Sequence, residues 1–324
     1  MKKLKTLSAV FAAVVASLNI ANAADEPVSY KTEDSKAPMV FFTKDITAKG
    51  LVNIYDKLEF TPEGKVGVKI STGEPPRSNY LRPELIKDLV QKVHGDIIEC
   101  NTAYHGSRFE TKVHYAVAKE HGYTDIAKVV IMDEDGETPL PVPNYKNMKE
   151  FVVGSKLLDY QTYIVLSHFK GHQMAGYGGA LKNVSIGMGS SHGKEIIHLG
   201  GKLKGDIFNS PQIPFLEAMA EANLAFTTYV KQENKKVIYI NVLNRISIDC
   251  DCNGNPAEPN IHDIGIVAGY DPVAVDQAAL DLVKVAEGNE ALMARIAKQQ
   301  GIHTTEYSAQ IGVGVRNYRL TDID

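Results

Sequence analysis

Short apolar runs alternate with longer amphipathic stretches along most of the chain. Residues 38–42, 65–70, 96–100 and 128–132 are rich in β-branched or aromatic side chains and read as strands. Residues 82–93 and 109–121, which separate three of them, carry helical spacing. Residues 133–149 hold prolines and glycines among acids and read as a loop excursion. Farther on, the pattern predicts a helix over 214–231, strands over 236–242 and 263–268, and a helix from Asp271 to about Ala286, with Asp271 as N-cap and Pro272 in its first turn. Two short helices close the chain. This βαβ rhythm predicts an α/β fold: a mostly parallel, Rossmann-like sheet with helices on both faces, with room for two lobes.

The N-terminus breaks the rhythm. Lys2, Lys3 and Lys5 precede an apolar stretch over residues 7–18, and Ala21-Asn22-Ala23 is a small-x-small cleavage site. Residues 1–23 are therefore expected to be a Sec-type signal peptide, leaving 24–324 as a single α/β domain in the periplasm or secreted. The apolar stretch is about twelve residues, against about 20 for a spanning helix, so no stable membrane anchor is expected after cleavage. No arginine pair marks twin-arginine export and no cysteine marks lipidation.

Loss of three lysines takes the chain from −4 to −7, with 39 acids against 32 bases. That charge, and the lack of a basic run with aromatics, argue against nucleic acid as a partner.

Candidate chemistry concentrates in residues 167–183, SHFKGHQMAGYGGALKN, which follow the apolar run 163–166. A glycine-rich turn between a buried strand and a helix sits where open α/β sheets place ligands. Lys170 and Lys182 suit an anion, Gly178 and Gly179 allow close approach of backbone, and Asn183 adds a polar group. The helix opening at Ala180 points a favourable dipole at negative charge. His168 and His172 are four apart, the spacing of a two-histidine metal site on a helix, although Gly171 between them favours a turn. Lys69 and Ser71 follow the second strand, and Asn101, His105 and Arg108 follow the third. In a parallel sheet both groups converge on the edge that carries His172 and Lys182.

Cys100, Cys250 and Cys252 are the three cysteines. A disulfide from Cys100 to one of the pair is one reading. A metal site of Cys250, Cys252, His168 and His262 is the other.

The segments KISTGEP from Lys69, ECNTAYHG from Glu99, SHFKGHQMAGYGGALKN, INVLNRISIDCDC and the helix opener DPVAVD (Asp271 to Asp276) resemble the domain of unknown function family 362, often labelled uncharacterised Fe-S centre proteins. The resemblance runs from about Val40 to the C-terminus and implies an iron–sulfur centre. Many relatives carry C-x-x-C spacings in a ferredoxin-like insert, where this chain has only Cys250-x-Cys252 and a distant Cys100. A cubane cluster normally takes four cysteines. A zinc-like divalent ion, or a disulfide, is therefore expected ahead of a cluster.

Together these features predict an exported metal-dependent or redox enzyme acting on a small anionic substrate at the strand C-terminal edge. Lys170 and Lys182 would hold the anion, His172 would serve as base or metal ligand, and Asp276 would orient a partner. A periplasmic small-ligand or metal-binding protein without catalysis, and an iron–sulfur electron-transfer protein, are the alternatives. Mass spectrometry of the exported protein should find a chain beginning at Ala24; an intact residue 1–23 segment would contradict the signal assignment.

Overall fold

The computed structural model describes residues 29–324, so the predicted leader lies outside the described residues. The chain runs β1 (Met39–Thr43), α1 (Ala48–Lys57), β2 (Val66–Lys69), α2 (Pro83–Lys92), β3 (Asp96–Glu99), α3 (Thr111–Glu120) and β4 (Val129–Ile131). The acidic segment expected to loop out instead supplies β5 (Glu137–Pro141), which pairs with β6 (Glu150–Gly154) as an antiparallel hairpin. Next come β7 (Thr162–His168), a small hairpin of β8 (Lys170–His172) and β9 (Gly176–Gly178), then α4 (Ala180–Met188) and α5 (Ser191–His198). The long α6 (Gln212–Gln232), β10 (Lys236–Leu243), β11 (Gly265–Gly269), α7 (Pro272–Lys284), α8 (Glu290–Lys298), α9 (Ile302–Gln310) and β12 (Arg319–Asp322) complete it.

The main sheet has the order β12-β1-β11-β10-β7-β2-β3-β4. Strands β10, β7, β2, β3 and β4 are mutually parallel, and β11 runs antiparallel to both its neighbours. Strand β7 shows why the sheet is covered on both sides. Its alternate residues Tyr163 and Val165 face one core, while Ile164 and Leu166 face a second. Leu51 and Ile54 of α1 and Ile86 and Leu89 of α2 belong to the second core. Val184 of α4, Phe226 of α6 and Ala278 of α7 belong to the first.

Local signals set the helix starts. Thr47 accepts a hydrogen bond from Gly50 N at 3.1 Å to cap α1. Asp271 accepts from Val273 N and Ala274 N at 2.9 and 3.0 Å to cap α7, as its sequence predicts. No helix among the described residues is long and apolar enough to cross a membrane.

Ile164 is fully buried in the middle of the sheet. Ile164→Ala should cost about 2–5 kcal/mol by chemical denaturation; a loss under about 1 kcal/mol would mean that the two faces are not independently packed.

Candidate active site at the sheet switch point

Strands β2 and β7 lie side by side, but the chain leaves β2 toward β3 and leaves β7 toward β10. Diverging connections of this kind open a crevice beyond the carboxyl ends of the two strands. A cavity of about 150 Å³ occupies that position, lined by Lys69, Glu99, Ser167 and His168 from the strand ends. A single water needs roughly 10–15 Å³ on this measure, so the space suits a small molecule.

Its floor is ionic. Lys69, fully buried, donates to Glu99 Oε1 at 2.8 Å and to Asn183 Oδ1 at 3.0 Å. Asn183 Nδ2 in turn donates to the carbonyls of Lys69 and Leu166, at 3.1 and 3.2 Å, so one side chain ties α4 to β2 and β7. Gly187 lets this happen, since a Cβ there would lie 2.6 Å from Lys69 Nζ. Arg108 donates to Glu74 at 3.1 Å and stands 3.8 Å from Glu99 Oε2. Burial alone would raise the Glu99 carboxyl, but Lys69, Arg108 and Lys194 hold it down at about 2. On the other wall Asp251 pairs with His168 Nδ1 at 2.9 Å and with Lys170 Nζ at 2.8 Å. These two partners outweigh its burial and keep it well below the usual carboxylate range.

Five cationic side chains, Lys69, Arg108, Lys170, Lys182 and Lys194, thus share the lining with two carboxylates, Glu99 and Asp251. Lys194 donates to the carbonyl of Gly189 at 2.7 Å. The ammonium of Lys182, a half-buried residue, makes no hydrogen bond or salt bridge among the described residues. Burial and the neighbouring Lys170 pull its ammonium down to about 7, against the opposing pull of Asp251.

His172 is also buried, and its Nδ1 accepts from Met174 N and Ala175 N at 3.2 and 2.9 Å. Its burial, followed by Lys182, His198 and Lys170, moves its pKa well below the ordinary range. The ring is neutral, with its proton on Nε2.

Several sequence expectations need correction. Asp276 does not reach the cavity. Its carboxylate accepts from Ala180 N at 2.7 Å, Leu181 N at 3.0 Å and Asn241 Nδ2 at 2.8 Å, so it is a positioning residue that caps α4 from a distance. It therefore occupies the helix N-terminus expected to attract an anionic ligand. Gly179 is required by the same contact, because a Cβ would lie 2.4 Å from Asp276 Oδ1. Burial raises this carboxyl to about 6 despite those hydrogen bonds. Asn101 points inward, its Oδ1 accepting from His114 Nδ1 at 3.2 Å and its Nδ2 donating to Thr111 at 2.8 Å. His105 is exposed and packs on Phe109 in a neighbouring groove. Ser71, Gly178, Gly179 and Asn183 do line the cavity.

The metal set changes membership. His262 is exposed. Both ring nitrogens of His168 meet acceptors, Asp251 and the Asn244 carbonyl at 2.9 and 2.7 Å. His172 replaces them: its ring and the sulfurs of Cys250 and Cys252 place one donor atom each within 4.8 Å of one another. Cys250 and Cys252 are disulfide-bonded to each other and Cys100 is free, buried and against the Met188 carbonyl, which corrects the expected Cys100 pairing. In this oxidised form the trio does not fit a cation, since neither sulfur is a thiolate and Nδ1 of His172 is taken by two N–H groups. Three cysteines, two of them joined, also do not fit a cubane cluster.

Glu99, Asp251, Lys194 and His198 line the cavity without having been singled out in the sequence. Glu99 had a signal, an acid at the strand end directly after the apolar pair Ile97-Ile98. Asp251 had one too, its place between two cysteines.

The fold and this cavity define a doubly wound α/β protein with a small, cation-rich site at its switch point. A profile of the family described as Domain of unknown function (DUF362) matches residues 66–281, and the chain belongs to that family. No curated protein matches it. Solved structures similar to it include the lactate racemase apoprotein from Thermoanaerobacterium thermosaccharolyticum, at 11% identity and TM-score 0.42 over 75% of this chain and 56% of that one. A Thermotoga maritima protein from the Northeast Structural Genomics Consortium is similar at 13% identity and TM-score 0.39, over 82% and 59%. The chain spans a little over half the length of each.

Asp276→Ala should leave the first N–H groups of α4 buried without acceptors and lower stability by about 3 kcal/mol. Thermal unfolding checks this, and a variant as stable as the parent would remove Asp276 from its positioning role.

Proposed function

We propose that the chain is an exported enzyme that takes a small anionic substrate into this cavity, with Lys182 as the group that binds the anion and moves a proton. One observation carries the reading: a half-buried cation without a salt-bridge partner, in a site where cations already outnumber carboxylates. Leaving such a charge uncompensated costs the fold stability, and an arriving anion removes that cost. Lys69, Arg108 and Lys170 are each committed to a carboxylate and Lys194 to the Gly189 carbonyl, so they shape the field while Lys182 meets the ligand.

A pKa near pH 7 suits a group that both gives and takes a proton. His172 stays neutral and offers Nε2–H as a second donor. Reaction by proton transfer next to an acid group of the substrate is the chemistry this pair supports. Zinc-like chemistry enters only after reduction of the cysteine pair, because only then do Cys250 and Cys252 become ligands.

The sign of the pH effect follows from Lys182. Its folded pKa is lowered, so the ammonium is present below about pH 7 and lost above it. Affinity for an anion should therefore weaken as pH rises. Calorimetry with a panel of small carboxylates and inorganic phosphate is expected to show on the order of tenfold weaker binding at pH 8.5 than at pH 6. Lys182→Met should abolish the pH dependence and lose roughly tenfold or more in affinity. The same variant should melt at a higher temperature, since a partly desolvated charge without a counter-ion is gone. Binding that is independent of pH and equal in the variant would refute the assignment.

A further inference from the structure

The Cys250–Cys252 disulfide is left over from this reading, yet it forms part of the wall of the same cavity. We infer that this pair is a thiol–disulfide exchange centre whose small-molecule partner is an anionic thiol, an inference that rests on the cavity being an anion site.

The two sulfurs are not equivalent. Cys250 is 6% exposed and its Sγ accepts the N–H of Cys252 at 3.3 Å. A sulfur that receives a backbone N–H is the better leaving thiolate. Cys252 is only half-buried and is the sulfur an incoming group reaches first. His172 lies within 4.8 Å of both, and its neutral ring, with Nδ1 held by the N–H of Ala175, places no negative charge beside the departing sulfur. Asp251, between the cysteines, would repel thiolates on either side, but His168 and Lys170 neutralise it at 2.9 and 2.8 Å. Lys182 supplies the attraction that steers a negatively charged thiol toward the pair.

The exchange balances without a further reagent. A thiolate attacks Sγ of Cys252, the Cys250–Cys252 bond breaks, and its electron pair leaves on Cys250 as a thiolate, which takes up the proton that the attacking thiol released to solvent. A second thiol then attacks the mixed disulfide, releasing the small disulfide and leaving Cys252 as a thiol. Two small thiols are oxidised to one disulfide, and the pair gains two electrons and the two protons the thiols gave up. The reverse direction reduces an anionic disulfide.

The test uses the oxidised full chain and three thiols of similar size: 3-mercaptopropionate, 2-mercaptoethanol and cysteamine. Rates of reduction of the pair are read by quenching with an alkylating agent and weighing the protein. The anionic thiol should react at least about tenfold faster than cysteamine after correction for thiol acidity, and Lys182→Met should narrow that ratio. With the disulfide of 3-mercaptopropionate in place of the thiol, Cys250→Ser should trap a mixed disulfide on Cys252, whereas Cys252→Ser should not trap one on Cys250. Rates that ignore charge, or a reduced pair that takes up zinc and never exchanges, would overturn the inference. A Cys250→Ser/Cys252→Ser double variant separates the two layers. If it binds small carboxylates while the exchange shows no charge preference, only the thiol inference fails; if the parent chain binds no anion, the reading beneath it fails.

Discussion

The carboxylate of Asp276 holds the start of α4, and the site is arranged around that contact. It joins three elements that are far apart in sequence: α7, on which it sits, β10 through Asn241, and the β9–α4 turn through Ala180 and Leu181. With the turn fixed, Asn183 reaches back to β2 and β7, and Lys182 is left facing the cavity. A helix N-terminus normally draws an anionic ligand. Here the protein supplies that anion itself, and the attraction for an external one passes to side chains.

Those side chains are balanced in pairs except at two places. Lys69 and Arg108 share Glu99, Arg108 also has Glu74, and Lys170 has Asp251. Each pair repays its desolvation only with close geometry and extra hydrogen bonds, which the Asn183 and Tyr104 contacts supply. Lys194 has only the Gly189 carbonyl, and Lys182 has no partner for its ammonium among the described residues. Functional sites commonly carry such a local cost to stability, and the large apolar cores on either face of the sheet can bear it.

Much of this frame was legible from the residue pattern. The run over residues 163–166 marked β7, the apolar stretches over 65–70 and 96–100 marked β2 and β3, and Asp271-Pro272 marked the start of α7. Short or polar elements were not: β12 is a polar edge strand that exists because it pairs with β1, and α1 was missed altogether. Lys170, Lys182, His172 and Asn183 were named from one glycine-rich turn, and all four line the cavity. What the residues could not reveal was pairing at long range. That Asp251 answers Lys170, that Asp276 answers a helix end, and that the two close cysteines join each other depend on contacts set by packing rather than by spacing.

The proposed chemistry depends on Lys182 being a half-buried ammonium poised near neutrality, and nuclear magnetic resonance of lysine side chains labelled at the ε-carbon measures it directly. Assigned through the Lys182→Met spectrum, the Lys182 resonance should titrate with a midpoint near 7 and move upward when a small carboxylate is added. A midpoint near the ordinary lysine value of about 10.4, unmoved by any anion, would contradict the account.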